Sequence, residues 1–194
     1  PVYYDRYTNA GIYNATLIGK GAGTGEQSEQ SIIMRDGNGI SLYNSIVVDN
    51  NRKFIQIEDK EEPFDSYQKF LDGVINIQGI VCYDIVGQSF DNSVVITDSD
   101  MLHEPNATSL KDYLSDPANT NSIGMDPGIM GISRDNNSGG LNPLPSNPIA
   151  TQGAVTPGKD SGQDNVSFKG AFDPNASGTY LDGWTTLARY GILE

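Results

Sequence analysis

A chain of 194 residues is long enough for one domain with a core of its own and little more. Its formal net charge of −13 opposes the positive field that a phosphate backbone needs, so nucleic acid is excluded as a partner. Charged residues reach only 19%, below the usual ~25%, and 22 glycines with abundant Asn, Ser and Thr mark a turn-rich β protein, not a disordered chain.

The chain opens on Pro1, as a processed product or a fragment would. No apolar run approaches the ~18 residues of a membrane span, and no basic-then-apolar leader is present. The one cysteine, Cys82, rules out an internal disulfide. It stands in the apolar run Gly79-Ile80-Val81-Cys82-Tyr83 and is expected to be a small buried hydrophobe.

In chain order, short β-prone runs come first. Tyr13-Asn14-Ala15-Thr16-Leu17-Ile18 aligns with Tyr43-Asn44-Ser45-Ile46-Val47-Val48 at an offset of 30. Ile77-Gln78-Gly79-Ile80-Val81-Cys82 continues the series at an offset of 34. Between them lies a second class of run, Ser31–Arg35, Lys53–Ile57 and Ser93–Thr97. Asp65–Gly73 has a capping Asp, apolar residues at 67, 70 and 71 and a terminating Gly, which predicts a short helix inserted at 65–72. A second helix is predicted over 108–114, closed by Pro117. Residues 115–165 are dense in Pro, Gly, Asn and Ser and read as irregular chain lying on a scaffold.

Alternating strand types at such a period predict an all-β parallel β-helix, a solenoid in which each coil buries the next. A β-sandwich is the competitor, but it leaves the repeated Tyr-Asn-small pattern unexplained. Asn14 and Asn44 are expected to stack as an amide ladder. Three regions follow: coils over 1–97 with the insertion at 65–72, a loop-rich segment over 98–165, and a capping segment over 166–194 in which Trp184 covers the last coil.

The runs Asn14–Gly19 and Gly39–Val48, with the tail Lys169-Gly170-Ala171-Phe172 through Gly183-Trp184-Thr185-Thr186-Leu187, resemble the C-terminal part of a family of large secreted or surface proteins. These are the right-handed parallel β-helix (lipo)proteins common in Bacteroidetes and related Gram-negative bacteria. The resemblance implies that fold and an extracellular or outer-surface location, and it brings no catalytic residues. The family's N-terminal coils have no counterpart in this chain. An open coil end therefore predicts a covering partner: a missing N-terminal segment, another chain or a second copy.

Chemistry is sparse. The Asn-Thr-Asp, Asp-Asp and Gly-His-Gly sets of polygalacturonase-like sites do not occur. Arg35-Asp36 with Arg52 is the nearest approach to a lyase-like arginine and carboxylate site, and reads as a solvated edge. His103 is the only histidine, which excludes a His-pair metal site. Glu58-Asp59-Lys60-Glu61-Glu62 reads as a solvated run, and Gly19–Gly25 fits neither phosphate-loop spacing. No cofactor is expected; if an ion is held, calcium at Asp98 and Asp100 fits best, with Asp49-Asn50-Asn51 as a second place for it.

The expected function is a non-catalytic extracellular or cell-surface module, structural or adhesive, within a larger chain or assembly. The alternative is a polysaccharide-binding or carbohydrate-active protein, with Tyr3, Tyr4, Tyr7, Tyr13 and Tyr43 as its aromatic residues. An exposed aromatic row beside carboxylates would favour that alternative.

Overall fold

A computed structural model describes residues 8–19, 21, 30–50, 53–61, 63–85, 90, 94–97, 106–131, 141–156 and 162–192. Among the described residues ten short strands are formed: β1 Gly11–Tyr13, β2 Thr16–Ile18, β3 Gln30–Met34, β4 Ser41–Tyr43, β5 Ile46–Asn50, β6 Lys53–Glu58, β7 Ile77–Gln78, β8 Val81–Ile85, β9 Val94–Thr97 and β10 Ser122–Ile123. With them lie the α-helices α1 Ser66–Leu71, α2 Asn106–Ser115 and α3 Thr186–Arg189, and 3-10 turns at Pro117–Asn119 and Pro148–Ala150.

The strands pair in parallel within three separate sheets, which the chain visits in rotation. The orders are β1-β4-β7 (sheet A), β10-β8-β5-β2 (sheet B) and β3-β6-β9 (sheet C). Tyr13 lies opposite Tyr43 and Leu17 opposite Val47, the offset of 30 read from the sequence. The next step differs by one residue: Ile77 lies opposite Leu42, and Cys82 opposite Val47, an offset of 35 rather than 34.

The corners between sheets A and B explain the register. Asn14 (φ 51°), Asn44 (φ 45°) and Gly79 (φ 69°) each turn the chain through the left-handed region, which Asn and Gly tolerate best. Gly79 thus stands in the place of Asn44, not one residue beyond it. A Cβ on Gly79 would meet the Asn44 Oδ1 atom at 2.5 Å, so glycine is required there for space as well as backbone angle.

The all-β right-handed parallel β-helix is corrected by these elements. Three short parallel sheets combine with three α-helices into a mixed α/β arrangement, and two of the helices contribute to the core. Tyr67 and Phe70 of α1 and Leu110 and Leu114 of α2 share one buried cluster with Leu42, Ile55, Ile57, Ile77 and Cys82. Strands of two to six residues enclose too little apolar surface alone. Both helices carry the signals predicted for them. The Asp65 carboxylate accepts from the Gln68 amide at 2.9 Å, and Gly73 ends α1 at φ 74°.

The Trp-containing cap is corrected too. Trp184 is 71% exposed and covers nothing in the core. Closure comes instead from α2, whose Leu110 and Leu114 are fully buried and whose Tyr113 hydroxyl accepts from the Ile77 amide of β7 at 3.2 Å. At the opposite side of each sheet stand β1, β2 and β3, the outer strands among the described residues.

Candidate functional site

Sheet B is buried on both faces, and that decides where the C-terminal chain lies. Val47 and Cys82 point into the main core. Ile46, Val48 and Val81 point the other way, into a second cluster with Ala150, Ile129 and Ile149 of the irregular segment. Polar groups lock this cover in place. The Asn44 side chain donates to the Val155 carbonyl at 2.8 Å and accepts from the Val155 amide at 2.7 Å. The Asn14 amide donates to the Phe168 carbonyl at 2.8 Å and the Gly170 carbonyl at 3.2 Å. The expected Asn14–Asn44 ladder is thereby corrected, because both amides are spent on the covering chain. Gly170 passes so close that a Cβ would lie 2.7 Å from Ile46 Cδ1.

Lys169, next to that glycine, is 1% exposed, and its ammonium donates to the Thr120 carbonyl at 2.8 Å. Burial lowers its pKa to about 8, against an opposing pull from the Cys82 thiolate. Burial pushes the Cys82 thiol well above its ordinary value, with Lys169 acting in the opposite sense. Both groups are shut away from solvent. The Lys169–Thr120 bond ties the covering chain to the turn that follows α2.

Beyond Lys169 the chain leaves the core. Phe172 is buried and stacks on Tyr180, ring centroids 5.1 Å apart at 14°. Tyr180 is 64% exposed, so the ring face away from Phe172 is open to solvent. Beside the pair lies a cleft of about 290 Å³, lined by Leu144, Phe168, Ala171, Asp173 and Thr179 among others. The loop carrying it is firmly tied. Asp173 Oδ1 accepts from the Asn175 amide at 2.9 Å, and Asp182 accepts from both the amide and the hydroxyl of Thr179, at 2.9 and 2.7 Å. The Trp184 indole N–H donates to the Tyr180 carbonyl.

The residues singled out from sequence are brought together only in part. Tyr13 and Tyr43 stack at 4.6 Å and 14° on the outer face of sheet A, a ladder of half-buried neighbours. Tyr3, Tyr4, Tyr7, Arg6, Arg52, His103 and the calcium residues Asp98 and Asp100 lie outside the described residues. Asp49 and Asn50 are buried within β5, and Asn51 lies outside the described residues. Among the described residues no group of three or more His, Cys, Asp and Glu could hold a metal ion. Arg35 and Asp36 pair at 2.9 Å as an exposed edge, and Lys60 pairs with Glu58 at 2.5 Å. The Phe172–Tyr180 pair was not expected. Its one sequence signal is the crowding of Phe168, Phe172, Tyr180, Trp184 and Tyr190 into a short stretch without regular spacing.

No protein-family model, curated protein or solved structure matches this chain. No helix among the described residues is long and apolar enough to cross a membrane.

Proposed function

We propose that this chain is a non-catalytic structural or adhesive module of an extracellular or outer-surface assembly, acting by seating a polypeptide partner on the β1-β2-β3 edge. One observation carries the reading. Ile12 and Leu17, which pair with the buried Leu42 and Val47, are themselves 44% and 39% exposed. They occupy core-facing positions at an edge where the next layer is lacking among the described residues. Exposed strand edges with an apolar face are templates for pairing. The resemblance of the tail Lys169–Phe172 and Gly183–Leu187 to secreted proteins is what points to an extracellular setting.

Native mass spectrometry of the chain in its natural material tests this. The expected result is an assembly, with another chain or with copies of itself, and Leu17→Glu is expected to release the chain as monomer. A stable monomer at micromolar concentration, unchanged by Leu17→Glu, overturns the reading.

A further inference from the structure

We infer that the cleft beside Phe172 and Tyr180 binds one pyranose ring of a neutral glycan, a role beyond assembly and independent of it. Three observations converge. The first is size: about 290 Å³ lies just under the ~300 Å³ at which sites for larger small molecules begin, which suits a single ring. The second is the platform. A sugar ring presents a flat face of C–H groups, and a tyrosine ring held by a stacked, buried phenylalanine gives it a rigid apolar surface. The third is charge. Asp173 commits Oδ1 to the Asn175 amide and side chain, which leaves Oδ2 at the rim to accept from sugar hydroxyls. That carboxylate, Asp182 close by and the net charge of −13 repel anionic glycans.

The site is also pre-formed. Five hydrogen bonds within 173–182, from Asn175 and Ala176 to Asp173 and from Thr179 to Asp182, fix the loop before any ligand arrives. A rigid loop loses little entropy on binding, so weak contacts can suffice. Trp184 hangs from the Tyr180 carbonyl and provides a built-in probe of the site.

The test titrates the full chain with cellohexaose, laminarihexaose and mannohexaose, with hexagalacturonate as the anionic comparison. Binding is read by saturation-transfer NMR and by Trp184 fluorescence. The expected result is saturable binding of at least one neutral hexasaccharide, weakened about tenfold by Tyr180→Ala. Asp173→Asn, which keeps an acceptor oxygen, is expected to weaken neutral binding by no more than about threefold and to relieve the exclusion of hexagalacturonate. Tyr180 is mostly exposed, so an unchanged unfolding midpoint certifies that the variant is folded. The inference is overturned if no neutral hexasaccharide binds at millimolar concentration, if hexagalacturonate binds wild type as well as they do, or if Tyr180→Ala binds unaltered. Oligomeric state does not enter any of these readouts, so the two proposals fail separately.

Discussion

The two ends of the strand stack solve the same problem in opposite ways. At the β7 side, α2 lays Leu110 and Leu114 over the core, and its Tyr113 hydroxyl takes the Ile77 amide that an outer strand would otherwise present. Asn119 and Asn121 finish the job: the Asn119 carbonyl accepts from the Gly79 amide at 2.8 Å and the Asn121 side chain accepts from the Ile80 amide at 2.9 Å. At the β1 side, equivalent positions end in the partly exposed Ile12 and Leu17. Closure is thus a matter of pairing backbone as much as of hiding hydrocarbon, and a helix can do both.

The sharpest way to break this contrast is to empty one site at each end. Leu110→Ala or Leu114→Ala is expected to lower stability by about 2–5 kcal/mol, the cost of a cavity in a closed core. Leu17→Ala is expected to cost under about 1 kcal/mol, because part of its surface is already in water. Urea unfolding midpoints decide it, and equal losses at both ends would mean that the β1 side is closed as well.

The cover on sheet B provides the next test. Lys169 has a folded pKa near 8, below the 10.5 of a free lysine, so between those values the unfolded chain binds more protons and stability rises with pH. The full span is worth about 3 kcal/mol for this buried group. Cys82 works against it: above its ordinary value of 9.0 the unfolded chain loses a proton that the folded chain keeps, and stability falls. In the window from about pH 8 to about pH 9 Lys169 dominates, and its expected gain of about 1 kcal/mol, partly offset by the unfolded Cys82 thiol, is abolished by Lys169→Met. A flat wild-type profile in that window would show that the ammonium reaches water.

A small difference between two variants separates the two duties of Asn44. Asn44→Gly keeps the left-handed backbone and loses both bonds to Val155, at about 2 kcal/mol. Asn44→Ala adds backbone strain of about 1 kcal/mol. Identical midpoints for the two variants would assign everything to the hydrogen bonds.

Strand pairing was legible because period and residue type agree: Tyr13 and Tyr43 meet face to face, as do Ile32 and Ile55 in sheet C. The two helices were legible from Asp65, Gly73 and Pro117. The single-residue slip at Ile77 arose because an apolar residue was matched to Tyr43, whereas the left-handed turn at Gly79 sets the register. The helix expected as an insertion at 65–72 carries the core residues Tyr67 and Phe70, since sequence pattern shows an apolar face but not what it meets. The partners of Asn14 and Asn44 lie more than 100 residues away, a separation at which no local pattern signals contact. The same holds for Lys169, whose partner, the Thr120 carbonyl, lies 49 residues away in sequence.

The position of Trp184 also governs how this protein should be observed. It is the chain's only tryptophan, it is exposed, and it is tied to a loop that stands apart from both buried clusters. Its emission will report the detachment of the C-terminal loop and little of the core's collapse. Among the tyrosines, the buried Tyr67 and the half-buried Tyr113 sample the interior. Melting followed by tryptophan emission and by tyrosine absorbance should therefore yield two different midpoints, the tryptophan signal moving first, and a single-probe experiment would mistake the loosening of one loop for the loss of the fold.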